Sequence, residues 1–340
     1  MKRALQLLVI VALTVFFLWL FLHKADLHAV GTILRGTDLR FVLIGFAVNA
    51  GALLLRTFRW RTILDPEDPP PFYATFFANT VGYMLSTILP IRASDFARPA
   101  LLSRRTSHRF SGALGTILIE RVLDLTSILL MFVTFAALRW NEFSHDPVTV
   151  RWFYIVRAGA IASALLLVAL WTFIAGVRFY RDGSRRLFEW IGKVLPQRMH
   201  GSWMHVFDTF TEGLRITRNP RALVTILLCT IGTWACLTSQ FWLATLAVHH
   251  PLPYDSSFFV TGVTTVGLAI PTPGGIGGFH KACQLVLTRF YRFTVDASVA
   301  VAVLFHVIGT LPVLLIGLVL FAREGLRWKD VTRGEEPGAN

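Results

Sequence analysis

The chain has 340 residues, of which 54% are hydrophobic and 13% aromatic, while only 16% are charged. Its mean hydropathy of +0.58 excludes an ordinary soluble fold and predicts an all-α integral membrane protein. The formal net charge of +13 raises the alternative of a nucleic-acid partner, which the positions of the basic residues argue against.

A helix that crosses about 30 Å of hydrocarbon needs roughly 20 apolar residues. Windows of this kind lie, in chain order, at 4–22, 41–57, 118–138, 153–176, 222–247 and 297–322. Two further apolar stretches, 72–90 and 257–289, contain or end in Pro and Gly, which favours re-entrant or broken helices. The sequence therefore predicts a polytopic helical bundle with about six full spans and two broken segments.

The basic residues concentrate in alternate loops. The loops 139–152 and 248–256 hold only Arg139 and Arg151, whereas the polar segment 177–221 and both terminal regions are strongly basic. The positive-inside rule then places both termini in the cytoplasm of an inner-membrane protein, and no nucleic-acid partner is expected. Residues 1–325 form the predicted transmembrane domain, with a cytoplasmic amphipathic segment at 185–218, and residues 326–340 form a polar cytoplasmic tail.

Three ionisable residues interrupt the apolar run 110–138, namely Glu120, Arg121 and Asp124. An ionisable side chain at the centre of a membrane helix costs about 2.5–3.5 kcal/mol, so partners or water are expected. Glu120 and Asp124 share a helical face, and Arg121 reaches Asp124 at a spacing of three. Two alternatives remain open: a self-satisfied structural cluster, or a helix that begins only near residue 119.

A second charged group follows Pro90, where Arg92, Asp95 and Arg98 stand at successive spacings of three. Arginine binds phosphate bidentately, so Arg92 and Arg98 are candidate headgroup ligands that pair with the charges of 110–138. The alternative is a set of ordinary cytoplasmic basic residues held by Asp95.

The stretch LLLRTFRWRTIL carries Arg56 and Arg59 into the end of an apolar run. Both side chains are candidates for the same polar cavity. Snorkelling to the interface beside Trp60 is the alternative.

Residues 262–282, GVTTVGLAIPTPGGIGGFHKA, cannot form a regular membrane helix, because prolines and glycines interrupt them. The segment is not a nucleotide-binding loop, since His280 precedes the lysine and Ala282 follows it. Glycine N–H groups beside a cation can receive an anion, and a purely structural break with a solvated His-Lys edge is the alternative. The candidate residues are Gly274, Gly275, Gly277, Gly278, His280 and Lys281.

The two broken segments share a Thr-Val-Gly triplet, at 80–82 and at 265–267, and each triplet precedes prolines and polar residues. Corresponding interruptions in two halves of a chain indicate a substrate site near the middle of the bilayer. Cys229, Cys236 and Cys283 lie in apolar segments without CxxC spacing. No metal site, cofactor or catalytic nucleophile is expected, and the chain is not predicted to be an enzyme.

Four motifs carry a family resemblance: RTFRW at 56–60, LPIRASDFARPALL at 89–102, IERVLDL at 119–125 and IPTPGGIGG at 270–278. In this order they resemble the transmembrane, flippase-like domain of lysylphosphatidylglycerol synthases. The resemblance implies an inner-membrane protein that moves lipids such as aminoacylated phospholipids or isoprenoid-linked sugars. By that analogy the polar motif positions are Arg59, Arg92, Asp95, Arg98, Glu120, Arg121 and Asp124.

Two features depart from that family. His280 and Lys281 follow the glycines, where the family often has a glutamate, and the soluble aminoacyl-transferase domain is absent from this sequence. Synthesis of lysylphosphatidylglycerol by this chain is therefore not expected.

The leading hypothesis is a translocase for an anionic phospholipid or an isoprenoid-phosphate-linked lipid, which passes through a polar cavity between the two broken segments. The arginines bind the phosphate, and Glu120 and Asp124 hold them or exchange protons. A non-transporting scaffold of a lipid or cell-envelope biosynthesis enzyme is the alternative. The expected partners are the bilayer and its anionic lipids, and a homo-oligomer or a lipid-biosynthesis enzyme remains open as a protein partner.

Overall fold

A computed structural model describes residues 2–89, 94–139, 147–192, 219–268, 270 and 272–324 of the chain. Within these ranges all regular elements are helices, which confirms the all-α class. The α-helices are α1 (Lys2–Leu22), α2 (Leu27–Arg35), α3 (Leu39–Leu64), α4 (Phe72–Ile88), α5 (Ser94–Ser103), α6 (Phe110–Leu138), α7 (Pro147–Phe179), α8 (Arg181–Gly192), α9 (Pro220–Ala247), α10 (Ser256–Gly267), α11 (Gly278–Phe290) and α12 (Val295–Arg323).

Five of the described helices are long and apolar enough to cross a membrane, namely α3, α6, α7, α9 and α12. The α1 and α2 helices form a pair bent by 79°, which makes a sixth span if the pair is counted as one. This agrees with the prediction of about six spans. The alternative that α6 begins near residue 119 is wrong, because the helix already starts at Phe110. Residues 193–218 and 326–340, on which parts of the predicted amphipathic segment and tail fall, lie outside the described residues.

The first broken segment, 72–90, contains α4, which forms a hairpin with the α5 helix that follows. At its base, the Tyr73 hydroxyl donates to Glu324 Oε1 at 2.9 Å, and Arg105 Nη2 lies 2.7 Å from Glu324 Oε2. Both ends of the hairpin thus lie at the end of the bundle where α12 finishes. Near the tip, Ser94 N–H donates to Ser86 Oγ at 2.7 Å, which satisfies one of the free N–H groups at the start of α5.

The second broken segment is a hairpin made by α10 and α11. Its base lies where α6 ends, because Arg139 Nη2 donates to Asp255 Oδ1 at 2.8 Å directly before α10. Phe290, at the end of α11, packs edge-on against Phe259 near the start of α10, with ring centroids 5.0 Å apart. The α6 helix begins shortly after α5, at the base of the first hairpin, and ends at the base of the second. The two hairpins therefore enter from opposite ends of the bundle.

The tips of the two hairpins touch. A single 3₁₀ turn, Pro273–Gly275, follows α10, and a Cβ atom placed on Gly274 would lie 2.8 Å from the carbonyl oxygen of Thr87 in the last turn of α4. Gly274 also has a φ of +58°, a left-handed conformation that residues with side chains adopt only at a cost. Broken helices of opposite orientation are the arrangement in which many transporters hold their substrates.

The buried core surrounds the second hairpin and the helices next to it. Phe241, Val260, Cys283, Leu287 and Ile308 are among its fully or almost fully buried members. A smaller apolar cluster joins α4, α5, α6 and the end of α12. In lipid such contacts stabilise through close packing, because lipid tails are as apolar as the side chains themselves.

We expect Gly274→Ala to lower the melting temperature of the detergent-purified protein. An alanine there has to adopt a left-handed backbone, which costs roughly 1–2 kcal/mol, and its Cβ meets the Thr87 carbonyl. Gly51→Ala is the matched control, because Gly51 lies in α3 with nothing within 4 Å of an added Cβ. Equal melting temperatures for the two variants would contradict the tip contact.

Candidate functional site

Six charged residues from three helices form one continuous chain of ion pairs, which we call the ion network. Its central acid is Glu120 of α6. Glu120 Oε1 accepts a hydrogen bond from Arg59 Nη2 at 2.6 Å, and Oε2 accepts one from Arg98 Nη2 at 2.8 Å. Arg59 also donates through Nη1 to Asp124 Oδ1 at 2.8 Å. The chain continues from Asp124 to Arg121 at 3.3 Å and from Arg121 to Asp95. The ion network comprises Arg59, Asp95, Arg98, Glu120, Arg121 and Asp124.

The spacing of the charges explains how the helices assemble the ion network. Glu120 and Asp124 are four residues apart on α6, so both point to the same neighbour, and Arg59 of α3 bridges them. The expected pairing of the α6 charges with Arg98 is present, whereas Arg92 lies outside the described residues.

The ion network has a sealed end and an open end. The side chains of Arg59, Arg98 and Glu120 are at most 1% exposed, whereas those of Asp95, Arg121 and Asp124 are 20–30% exposed. Its three guanidinium groups and three carboxylates give a formal charge of zero. Burial of isolated charges is strongly unfavourable, so this alternation is what permits the sealed end to exist inside the bundle.

Arg98 reaches the ion network by crossing the surface of α4 at a glycine. A Cβ atom on Gly82 would lie 2.3 Å from Arg98 Cγ, so a larger residue would displace the side chain. The guanidinium then stacks over the ring of Trp60, 4.3 Å from its centroid, in a cation–π contact. Trp60 is fully buried, and its indole N–H donates to Thr116 Oγ1 at 3.0 Å. Because Arg59 is buried in the ion network beside Trp60, the alternative that Arg59 snorkels to the interface is wrong.

Tyr83 is a member of the site that the sequence reasoning missed. Its hydroxyl accepts from Arg98 Nη1 at 3.3 Å and donates to Glu120 Oε1 at 3.4 Å. Its ring lies 4.9 Å from the guanidinium carbon of Arg56 and 5.0 Å from that of Arg98. The available signal was a tyrosine inside the apolar run of the first broken segment, because a tyrosine hydroxyl buried in a core needs a hydrogen-bond partner.

The glycines of the second broken segment lie against neighbouring backbone and side chains. An added Cβ on Gly277, whose φ is +98°, would meet Phe17 of α1 at 2.6 Å, and one on Gly278 would meet the carbonyl oxygen of Gly267 at 2.6 Å. For Gly275, the nearest atom would belong to Leu268. These glycines therefore bring the tip of the second hairpin into close contact with α1 and α10.

Lys281 and Gln284 tie α11 to the end of α1. Lys281 Nζ donates to the Leu20 carbonyl at 2.9 Å and to Gln284 Oε1 at 2.6 Å, and Gln284 Nε2 donates to the Phe21 carbonyl at 2.9 Å. Carbonyl groups in the last turn of a helix have no partner within the helix, so these contacts cap α1. The ammonium group predicted to meet an anion is thus engaged with backbone in this structure.

His280 lies in an aromatic cluster beside Lys281. Its ring centroid is 4.6 Å from that of His306 in α12 and 5.1 Å from that of Phe21 in α1. Gly277 N–H points to His280 Nδ1 at 3.5 Å, at the start of α11. His280 is buried, so it does not form the solvated edge that was one interpretation of the sequence.

The α4 helix connects the ion network to the glycine-rich turn at 274–278, which we call the glycine segment. Thr87 touches Gly274, and its hydroxyl donates to the Tyr83 carbonyl one turn earlier at 3.2 Å, while Tyr83 contacts the ion network. Among the described residues, no hydrogen bond or ion pair links the glycine segment directly to the charged side chains. The same part of the chain contains no group of three or more His, Cys, Asp or Glu residues that would hold a metal ion.

We expect the free energies of unfolding lost on removing Arg98 and Glu120 to be less than additive. Arg98→Met leaves Glu120 with one cation fewer, and breaking a buried pair typically costs about 3–5 kcal/mol. Adding Glu120→Gln to Arg98→Met should therefore cost less than the sum of the two single changes. The measurement is a double-mutant cycle on unfolding in detergent, with Arg98→Met and Asp38→Asn as the distant pair that should be additive. Additivity of the first pair would show that the charges are not coupled.

Comparison with known proteins agrees with this architecture. The family described as the lysylphosphatidylglycerol synthase TM region matches residues 4–317. A UPF0104 membrane protein of Methanothermobacter thermautotrophicus is 21% identical over 333 residues, which cover 91% of this chain and 90% of the relative. The UPF0104 membrane protein MJ1078 of Methanocaldococcus jannaschii is 21% identical over 238 residues, or 70% of this chain and 92% of the relative. With its apolar helices and nearly complete family match, this chain is a multi-pass membrane protein that belongs to the lysylphosphatidylglycerol synthase TM region family.

Proposed function

We propose that this protein is a lipid translocase and not an enzyme, and that it moves a lipid with an anionic headgroup between the two leaflets. The lipid is an anionic phospholipid or an isoprenoid-phosphate-linked lipid. The observation that carries the proposal is the ion network, which lies inside the helical bundle beside two hairpins that enter from opposite ends. Intramembrane charges and broken helices of opposite orientation are both typical of substrate pathways.

Stability alone is a poor reason to place six charged side chains inside the bundle, three of them fully buried. Replacement of buried ion pairs by well-packed apolar residues is often neutral or stabilising, by about 1–4 kcal/mol. The open end of the ion network offers a place where a headgroup makes contact, because Asp95, Arg121 and Asp124 are partly exposed. A functional use of the charges accounts for both their cost and their graded exposure.

In the proposed pathway the headgroup enters at the open end while the acyl or isoprenoid tail stays in the bilayer. Phosphate oxygens compete with Asp95 and Asp124 for Arg121, since guanidinium binds phosphate and carboxylate through the same planar fork. Glu120 and Asp124 either hold the arginines in place or exchange protons during transport. The glycine segment, with His280 and Lys281, forms the opposite hairpin across which the headgroup passes.

We also propose an inner-membrane location with both termini in the cytoplasm. The end of the bundle that carries the base of the first hairpin is the richer in arginine, with Arg61, Arg104, Arg105, Arg109, Arg185, Arg186, Arg221 and Arg323. The basic residues at the other end whose side chains the structure describes are Lys24, Arg35, Arg40, Arg139, Arg289 and Arg292. Positive charge accumulates on the cytoplasmic side of membrane proteins.

Cysteine labelling tests this orientation. In a Cys236→Ser background, Pro253→Cys should react with an impermeant maleimide from outside intact cells, and Arg186→Cys should react only after lysis. Both positions are exposed in the structure, and the other two cysteines, Cys229 and Cys283, are buried. The reverse pattern would overturn the proposed topology.

Reconstitution tests translocation. In proteoliposomes that contain fluorescent phosphatidylglycerol, the wild-type protein should increase the fraction of probe that dithionite reaches from outside. Asp124→Asn should slow this exchange by tenfold or more, which corresponds to about 1.4 kcal/mol, because it removes a partner of both Arg59 and Arg121.

Asp255→Asn is the matched control. Asp255 is a similarly exposed carboxylate, at 21% against 20% for Asp124, and it also pairs with an arginine, but it lies at the base of the second hairpin. Its exchange rate should stay near that of the wild type. If wild-type protein gives no more exchange than empty liposomes, the scaffold alternative is preferred.

A further inference from the structure

Three arginines within one short stretch of α3 have different surroundings. Arg59 is buried in the ion network. Arg61 donates to the carbonyl oxygens of Pro69 and Pro70, so it holds the loop before α4. Arg56 forms neither a hydrogen bond nor an ion pair with any residue that the structure describes; its one contact as a cation is with the ring of Tyr83.

Tyr83 holds Arg56 beside the ion network without neutralising it. The Arg56 guanidinium carbon lies 4.9 Å from the ring centroid, and the Arg98 guanidinium carbon lies 5.0 Å from the same centroid. Arg98 has a carboxylate partner in Glu120, whereas Arg56 has only the ring. Since the ion network itself is neutral, the group that includes Arg56 carries one formal positive charge.

Arg56 lies within α3 and not at its end. It precedes the last residue of the helix, Leu64, by eight positions, or about 12 Å at 1.5 Å per residue. Its side chain is partly buried. A partly buried arginine without a counter-ion is unfavourable, so its N–H donors call for an anion.

We propose that Arg56 is a phosphate-binding residue of this domain, and that the ring of Tyr83 orients its guanidinium. The ligand is a phosphate oxyanion, either in a lipid headgroup or as free phosphate. Arg59 and Arg98 are then positioning residues, whose donors the carboxylates already occupy. The inference rests on the proposed function for its biological meaning, but phosphate binding by Arg56 is measurable without any transport.

The first experiment measures ligand-dependent thermal stabilisation of the full-length, delipidated protein in detergent. The probes are phosphatidylglycerol added to the micelles and, separately, inorganic phosphate. Phosphatidylglycerol should stabilise the wild type, and Arg56→Gln should weaken its apparent affinity by tenfold or more. Arg56→Lys, which keeps the charge but loses the planar fork, should fall between them.

Arg40→Gln is the matched control, because Arg40 lies on the same helix at its opposite end and its side chain is 86% exposed. It should bind phosphatidylglycerol like the wild type. A second pair of variants tests the ring of Tyr83. Tyr83→Phe keeps the surface under Arg56 and should bind more tightly than Tyr83→Leu, which removes it.

The melting temperature without ligand separates binding from folding. Arg56→Gln removes a cation that has no carboxylate partner among the described residues, so the ligand-free variant should melt at or above the wild-type temperature. Arg59→Gln should melt well below it, because that change leaves Glu120 and Asp124 each with a partner lost.

Two outcomes would overturn the inference: phosphatidylglycerol affinity of Arg56→Gln within about twofold of the wild type, or no stabilisation of the wild type by either probe. Stabilisation by inorganic phosphate that is lost in Arg56→Gln supports the inference and assigns a free anion. Stabilisation by phosphatidylglycerol alone supports it and assigns a lipid headgroup. Arg56-dependent binding without lipid exchange in proteoliposomes would leave this inference standing and remove the proposed function. Lipid exchange by the wild type together with unaltered phosphatidylglycerol binding by Arg56→Gln would leave the proposed function standing and overturn this inference.

Discussion

The bridging of two guanidinium groups by the buried Glu120 carboxylate is the interaction on which the rest of the site depends. Full burial of a charge inside a helical membrane domain is strongly unfavourable unless an opposite charge matches it at hydrogen-bond distance. Glu120 provides that match for Arg59 and Arg98 at once, and in doing so it fixes α3, α5 and α6 relative to one another. The position of the first hairpin in the bundle is therefore tied to an electrostatic contact as well as to apolar packing.

The full spans were predictable because a long apolar run in a membrane protein has one available conformation. Every backbone polar group in lipid has to be satisfied within the segment, so hydropathy locates α9 and α12 to within a few residues. The prolines and glycines marked both broken segments for the same reason. The windows for α3 and α6 are too short, because α3 ends later and α6 begins earlier than predicted. The sequence carries no comparable signal for the direction in which each hairpin enters, which became clear only from the contacts of Glu324 and Asp255.

The candidate site was predictable to the extent that helical spacing decides it. Glu120 and Asp124 share one face of α6, Arg121 lies three residues before Asp124, and their mutual reach follows from these intervals of four and three residues. Partners on other helices depend on packing, so the sequence left open whether Arg59 snorkels and gave no place to Tyr83. For the glycine segment, the sequence allowed two explanations and did not decide between them. Composition indicated an anion-binding loop, but close contact with α1 and α4 is an equally good physical reason for glycine, and Lys281 proved to bind the end of α1. That the ion network and the glycine segment bind lipid stays a prediction.

The capping of α1 by Lys281 and Gln284 has a mechanical consequence. The Phe21 carbonyl takes its side-chain hydrogen bond from Gln284 of α11, and the Leu20 carbonyl accepts from Lys281 besides contacting His23 Nδ1, so separation of the two elements would break both hydrogen bonds to α11. The N-terminal helix is thus bound to travel with the second hairpin. A displacement of that hairpin would move α1, and the bend between α1 and α2, through the surrounding lipid. One rearrangement inside the bundle would therefore change its lipid-facing surface.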